Sequence, residues 1–223
     1  MAKRGGKGNS EMKKEIEKIL NKKELSIIKK LSTPHKIQDF LDKIPFNFEV
    51  NGETYWSPRV MLRSKKAHCF EAAVFAVLCL KYHKYKSSLL DLKVCHKFRR
   101  KALDSDHVVA IFEMNNHLGA VSKTNHGVLR WRDPIYRSIR ELAMSYFHEY
   151  FIKDGTKTLL AYSKPFDPFK KFGVEWVVKE TDLDQIALAL DQSPHNPFVP
   201  YKLRKFLRKA GKIEIRAADV EEW

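Results

Sequence analysis

The sequence has few of the residues that would make a disulfide-bonded or membrane-spanning protein. Its three cysteines, Cys69, Cys79 and Cys95, are odd in number and share no spacing, which argues against a disulfide framework and fits a reducing compartment. The longest apolar run, near residues 72–80, is far too short to span a bilayer.

The N-terminus lacks the apolar stretch of a secretory signal. Its basic residues, Lys3, Arg4 and Lys7, are followed by polar and alternately charged residues. Hydrophobic residues make up 43% of the chain and aromatic residues 12%, which is enough for a core and argues against disorder of the whole chain. We therefore expect a soluble protein of the cytoplasm that has no membrane partner.

Acidic residues are scarce relative to basic ones. The chain has 27 Asp and Glu against 42 Lys and Arg, a net charge of +15, which favours acidic partners such as nucleic acid or an acidic protein. The charge is densest in an N-terminal arm that ends near Leu31 and in a basic segment at residues 201–209. Both segments are candidate contacts for nucleic acid, although a solvated charged surface explains each of them equally well.

Four segments are expected along the chain. Residues 1–9 form a disordered basic tail, and residues 10–31 form an amphipathic basic arm, because apolar residues recur there at helical spacing. Residues 32–165 form the core, in which residues 46–66 are a loop with one short strand at most. Residues 166–223 form a mostly helical extension packed on the core, with helices near 182–191 and 200–210.

The core is predicted to combine one very apolar helix with an antiparallel sheet. The helix runs from Cys69 to about His83, and a helix so apolar belongs in the interior. A further helix that begins near Ser138 should pack on the sheet. The predicted strands, which are separated by turn residues, are 89–94, 107–114, 118–121 and 128–131. The expected fold class is α+β, with helical additions at both ends.

Cys69 stands in the first turn of its helix. Unpaired backbone N–H groups and the positive end of the helix dipole favour a thiolate at that position. The small residues Ala72 and Ala73 follow it and leave room for a substrate. Taken alone, the position fits an ordinary core thiol better than a nucleophile.

Two later residues could serve this thiol. His107 begins an apolar strand, so it can be partly buried and aimed at the end of the helix. Asp133 closes the predicted strand 128–131 and is followed by Pro134, which should end the pairing. A thiolate that attacks a carbonyl carbon needs an imidazole to move the proton and a group that orients the imidazole.

Three short segments together resemble the transglutaminase-like superfamily of papain-like thiol enzymes, in a prokaryotic branch. They are Ala67–Ala73, Asp106–Phe112 and Trp131–Pro134. In that family the cysteine opens a buried helix, the histidine lies on the next long strand, and the aspartate precedes a proline on a following strand. The match covers about residues 60–140. It departs from the family in the residues that directly precede the cysteine and follow the histidine.

The resemblance implies a papain-like core and thiol-dependent acyl chemistry on a protein or peptide amide. Cys69 would be the nucleophile, His107 the base and then the acid, and Asp133 the orienting group, with no cofactor. The acyl group would pass to water, as in a peptidase or amidase, or to an amine, as in a transglutaminase-type transfer. The segment Cys69–Glu71 is also similar to arylamine N-acetyltransferases, but the Asp133-Pro134 ending fits the transglutaminase-like pattern better.

The oxyanion of such a reaction needs two donors. The Cys69 backbone N–H is one, and Trp56 or Tyr55 in the preceding loop is a candidate for the other, with Trp56 preferred. His68 is expected to be a poor base for Cys69, because adjacent residues of a helix point about 100° apart.

Other readings of the sequence are open. No Cys-x2-Cys or His-x3-His spacing supports zinc, so no metal is expected. Cys79 and Cys95 read as inert core thiols. The alternative to an enzyme is a binding module of the same fold that uses its basic surface for nucleic acid or an acidic protein. The oligomeric state is left open.

Overall fold

The computed structural model describes residues 7–99 and 105–220. The fold is α+β and is built on an antiparallel sheet of six strands. The strands are β1 (Ser87–Val94), β2 (His107–Met114), β3 (His117–Val121), β4 (Arg132–Tyr136), β5 (Leu159–Ser163) and β6 (His195–Pro197). Their order across the sheet is β4-β3-β2-β1-β5-β6.

Helices precede, cover and follow this sheet. In chain order they are α1 (Lys7–Ile19), α2 (Lys22–Lys30), α3 (Pro34–Asp42), α4 (Pro58–Ser64), α5 (Cys69–Tyr82), α6 (His96–Arg99), α7 (Ile139–Phe147), α8 (Pro168–Phe172), α9 (Asp184–Asp191) and α10 (Lys212–Ala218). None of the described helices combines the length and the hydrophobicity needed to cross a bilayer.

Helix α5 begins at Cys69 because a capping box closes its first turn. The His68 Nδ1 atom accepts a hydrogen bond from the Phe70 N–H at 3.0 Å, and Glu71 Oε2 accepts one from the His68 N–H at 3.0 Å. From Phe70 to Leu80 every residue is buried, as the uniform hydrophobicity of the segment predicts. The cap therefore fixes Cys69 at the open end of a fully interior helix.

The sheet separates two hydrophobic clusters. Alternate residues of a strand point to opposite faces, and in β2 the side chains of Ala110 and Phe112 join the cluster around α5, whereas those of Val109 and Ile111 join the cluster around α7. Helices α1 to α3 also contribute to the α5 cluster. The prediction that the Cys69 helix packs on an antiparallel sheet is confirmed.

Two helices occupy the segment predicted to be a basic arm. Helix α1 already begins at Lys7, inside the segment predicted to be a tail, and residues 1–6 of that tail lie outside the described residues. The arm is tied to the core by buried Ile16 and Ile28 and by Arg59, whose Nε atom lies 2.7 Å from Glu24 Oε1. The Glu24 carboxylate also completes the N-terminal cap of α2 with Asn21.

The predicted strand 128–131 is wrong. Gly127–Leu129 form a 3₁₀ turn whose Leu129 is buried, and the strand that follows, β4, starts only at Arg132. Pro134 therefore lies inside β4 instead of ending it. Because β4 is at the edge of the sheet, the N–H that proline lacks can face away from the neighbouring strand.

Two further elements lie where the sequence pattern suggested otherwise. Helix α4 lies in the predicted loop 46–66, where Ser57 caps it and Pro58 is its first residue. Strand β6 lies in the extension predicted to be mostly helical, and it pairs with β5. The predicted helix 200–210 is a 3₁₀ helix, Tyr201–Phe206, and α10 follows it.

Gly119 in β3 allows the close approach of its neighbours. A Cβ atom at this position would lie 2.6 Å from the Phe112 ring and 2.8 Å from the Arg132 carbonyl oxygen. We expect Gly119→Ala to lower the free energy of unfolding by about 1–3 kcal/mol, because the core must shift to admit the methyl group. Urea unfolding measures this loss. Gly127→Ala is the control, since its nearest neighbour would be 3.7 Å away; equal losses would contradict the steric explanation.

Candidate active site

The Cys69 thiol lies between two imidazoles at the N-terminus of α5. Burial by itself would raise the pKa of this half-buried thiol, but hydrogen bonds from His107 and His68, together with their positive charges, lower the pKa to about 5. The N-terminus of the helix also favours a negative charge. Cys69 is therefore a thiolate at neutral pH, which is the nucleophilic form of cysteine.

The other two cysteines differ from Cys69. Cys79 is fully buried in the middle of α5, and burial raises the pKa of its thiol well above the ordinary value. Cys95 is half-buried and lies just after β1, not within it. The low thiol pKa thus distinguishes Cys69 from the core cysteine Cys79 on the same helix.

His107 is held from its far side by a serine. Its Nε2 atom lies 2.7 Å from the Ser122 Oγ atom, which leaves Nδ1 as the ring nitrogen for the thiol. The imidazole is 4% exposed, and its ring meets the Tyr146 ring edge-on at 6.4 Å. The residue that directly follows β3 therefore orients the predicted base.

Ser122 is in turn fixed by Gln38 of α3. The Gln38 side-chain amide donates to the Ser122 carbonyl oxygen at 2.9 Å and accepts from the Ser122 N–H at 3.0 Å. Both residues are buried. This pair of hydrogen bonds resembles the pairing of two strands, and it holds the Ser122 hydroxyl beside the His107 Nε2 atom.

Asp133 lies elsewhere. It is exposed on β4, and its Oδ1 atom accepts a hydrogen bond from the Trp131 indole at 2.8 Å. Ala120 pairs with both Arg132 and Ile111, so Arg132 is level with Ile111, which is four residues, or about 13 Å, along the sheet from His107. Asp133 is one residue further away in the same direction. Among the described residues no hydrogen bond or ion pair joins Asp133 to His107. The structure brings Cys69 and His107 together but not Asp133.

His68 is a partner of Cys69, contrary to the expectation from helical geometry. Residue 68 is the N-cap and has an extended backbone (φ −101°, ψ −168°), so its ring can turn towards Cys69. Burial disfavours its imidazolium, yet the Cys69 thiolate and the Glu49 carboxylate raise the pKa of His68 well above its ordinary value. The spacing of a cap residue and Glu71 three positions later is the signal that could have identified it.

Glu49 and Thr54 complete the surroundings of His68. The His68 Nε2 atom lies 2.7 Å from the Thr54 carbonyl oxygen and 3.2 Å from Glu49 Oε1. Burial opposes ionisation of Glu49, but its hydrogen bond with His68 holds the pKa of that carboxyl below its ordinary value. Nδ1 accepts from the Phe70 N–H only while it carries no proton, so the capped arrangement and the imidazolium are alternative states of His68.

The loop before α4 carries the two oxyanion candidates. The Tyr55 hydroxyl donates to Glu53 at 3.0 Å, and its ring packs edge-on against Phe70. Trp56 is half-buried, with the Lys66 ammonium 5.5 Å from its ring, and its indole N–H donates to no described residue. The Tyr55 hydroxyl is thus already hydrogen-bonded, and the Trp56 indole N–H stays the predicted second donor to the oxyanion.

One group of carboxylates among the described residues is close enough to hold a metal ion. It consists of Asp91, Asp106 and Asp191. The Lys93 ammonium lies 3.6 Å from Asp91 Oδ2 and 3.5 Å from Asp106 Oδ2, and it pairs with Asp191 as well. Lysine thus already supplies the positive charge at this place. The group includes no histidine.

A groove on the described surface lies away from Cys69. It has a volume of about 710 Å³ and lies between α9 and the segment that leads into α8. Phe166, Phe172 and Leu188 are among the residues that line it. Neither Cys69 nor His107 borders this groove, so the assignment of the site rests on the chemistry of the thiol and not on the shape of a pocket.

No protein-family model matches the sequence, and no curated protein has significant similarity to it. The resemblance to the transglutaminase-like superfamily therefore rests on short motifs, and the function has to be inferred from the geometry.

The two imidazoles make a prediction for thiol reactivity. In a Cys95→Ser background, alkylation of Cys69 by iodoacetamide should reach half of its maximal rate near pH 5, because the pKa of the thiol is about 5. His107→Ala should move this midpoint to higher pH. His68→Asn should do so too, since asparagine retains a capping side chain but loses the positive charge.

Asp133→Asn is the matched control for this titration. It removes a carboxylate that the structure places far from the thiol, so the midpoint of alkylation should not move. A shift as large as that of His107→Ala would contradict the arrangement described here.

Proposed function

We propose that this protein is a thiol-dependent enzyme that acts on an amide or peptide bond. Cys69 is the nucleophile, His107 is the base and then the acid, and Ser122 orients His107. The observation that carries the proposal is the low pKa of a thiol set between two imidazoles at a helix N-terminus. Perturbed groups of this kind concentrate at functional sites.

The first half of the reaction forms a thioester. The Cys69 thiolate attacks the carbonyl carbon, and the negative charge that develops on the carbonyl oxygen is stabilised by the Cys69 N–H and by the Trp56 indole N–H. The His107 imidazolium gives its proton to the nitrogen of the leaving amine. The amine departs, and the acyl group stays on sulfur.

The second half releases the acyl group. His107, now neutral, takes a proton from the acceptor, which is water in a hydrolase or an amine in a transferase. The acceptor oxygen or nitrogen bonds to the acyl carbon, and the thiolate leaves. We propose hydrolysis of protein or peptide amides as the main outcome. All three cysteines are free, which suits work in a reducing cytoplasm.

Two features support a papain-like core of the transglutaminase-like type. The nucleophile opens a buried helix, and the histidine begins a strand of the antiparallel sheet on which that helix packs. The orienting residue departs from the family pattern. Ser122, at the end of the neighbouring strand β3, has the contact with His107 that the resemblance assigned to Asp133.

Activity assays test the proposal directly. A panel of fluorogenic peptide amides and p-nitrophenyl esters should be turned over by the wild-type chain, and mass spectrometry should detect an acyl adduct on Cys69. Cys69→Ala should abolish both signals. Equal turnover by wild type and Cys69→Ala would refute the proposal that Cys69 is a catalytic nucleophile. If the thiolate is reactive but no acyl adduct forms on it, the result would favour the alternative, a binding module of the same fold.

Ser122 gives a second prediction. Ser122→Ala should lower kcat/KM by about 10- to 100-fold, because the His107 ring loses its fixed orientation. Ser122→Asp should retain much of the activity and move the alkaline limb of the pH–rate profile to higher pH, since a nearby negative charge favours the imidazolium. A loss of kcat/KM in Asp133→Asn as large as that in Ser122→Ala would contradict this assignment.

A further inference from the structure

The basic segment near the C-terminus forms a surface that the proposed chemistry does not use. We call residues 201–212 the C-terminal platform. It contains six basic residues and no acidic one. It consists of the 3₁₀ helix Tyr201–Phe206 and the link to α10.

The platform is anchored at both ends. Before it, Phe198 and Val199 are buried in the cluster around α7. After the 3₁₀ helix, Leu207 packs against the same cluster, and the Ala210 N–H donates to the Gly155 carbonyl oxygen at 2.8 Å. The residues between these anchors are therefore presented by the folded domain, so that a ligand bound there need not order a loose tail.

Two aromatic side chains project from the platform into solvent. Tyr201 is 83% exposed and Phe206 is 71% exposed. The Arg204 guanidinium lies 5.5 Å from the centre of the Tyr201 ring, and the Lys205 ammonium lies 5.0 Å from that of Phe206. These two rings leave apolar area in water, and the cation beside each ring adds a positive charge at the same place, so that a ligand with both flat rings and negative charges would contact both.

The cations of the platform fall into two groups. Arg208 pairs with Glu214 and Lys209 pairs with Asp154, in both cases at the exposed surface. Lys202, Arg204 and Lys205 form no ion pair with any described residue. Arg204, which is half-buried, lies beside the Tyr201 ring, and the exposed Lys205 lies beside the Phe206 ring. Lys202 is exposed and follows Tyr201 directly in the chain.

The N-terminal arm is a different basic surface. Helices α1 and α2 pack in the cluster around α5, whereas the platform is anchored in the cluster around α7. The two basic segments are thus attached on opposite sides of the sheet. The arm also carries four acidic residues among its lysines. Residues 10–31 of the arm contain no aromatic residue, so of these two basic segments the platform is the one that combines positive charge with exposed aromatic area.

We propose that the C-terminal platform binds single-stranded nucleic acid. Bases stack on Tyr201 and Phe206, and phosphates pair with Lys202, Arg204 and Lys205. An anionic membrane is a less suitable partner. The 3₁₀ helix is only about 12 Å long, and cations alternate with its aromatic rings, so it has no continuous apolar face to insert into a bilayer. The acidic residues Glu214, in α10, and Asp219, directly after it, would be repelled by an anionic surface.

Fluorescence anisotropy with labelled U12 RNA and dT12 DNA tests this proposal on the full chain. Tyr201→Ala/Phe206→Ala should weaken binding by about 30-fold or more, because two stacked bases are lost and each contributes about 1–3 kcal/mol. Lys202→Gln/Lys205→Gln should weaken binding and lower the slope of log K against log salt by about 1.4, at about 0.7 per lost phosphate contact. Lys29→Gln/Lys30→Gln removes the same charge from the arm and should leave most of the affinity intact.

Three results would overturn the proposal. They are absence of binding to both oligonucleotides at low salt, an equal loss of affinity in the platform and arm variants, and binding to phosphatidylserine vesicles without binding to the oligonucleotides. Cys69→Ala should bind as the wild type does. The proposal that the platform binds nucleic acid and the proposal that Cys69 is a nucleophile are therefore tested independently of each other.

Discussion

The contact between a half-buried thiolate and two imidazoles is the interaction on which the rest of the site depends. Burial of a negative charge is unfavourable unless charge and hydrogen bonds compensate for it. Here the compensation comes from His107 on β2 and from His68 at the cap of α5. Each imidazole has its own support, Ser122 for the first and Glu49 for the second. The α5 cap, strand β2 and the loop before α4 therefore all contribute to the surroundings of the Cys69 sulfur atom, either directly or through one of the two histidines.

The sequence could predict the parts of this site that depend on local pattern. The hydrophobicity of α5 predicts an interior helix that begins at Cys69. The apolar pattern of β2 likewise predicts a strand that begins at His107. The role of Ser122 could not be predicted from the sequence, because it depends on the register between β2 and β3 and on a contact with Gln38, which is 84 residues away in the chain. His68 was missed because a cap residue does not follow helical geometry.

Asp133 matches the family motif in the sequence but is not a neighbour of His107 in the structure. The pattern of an aspartate before a proline at a strand end is present, but β4 begins later than expected and includes Pro134. The irregular pairing between β3 and β4 then places Asp133 at the level of the middle of β2. Chain order alone does not fix such distances, whereas one slip in register changes the partner of a catalytic group.

The ionisation of Cys69 is the most direct test of the account. The thiolate absorbs in the far ultraviolet, so the difference in absorbance between wild type and Cys69→Ala reports its titration without a reagent. The account predicts a midpoint near pH 5 in the folded protein, and a midpoint at the ordinary cysteine value, about 8.5, once the chain is unfolded in urea. A midpoint at the ordinary value in the folded protein would contradict it.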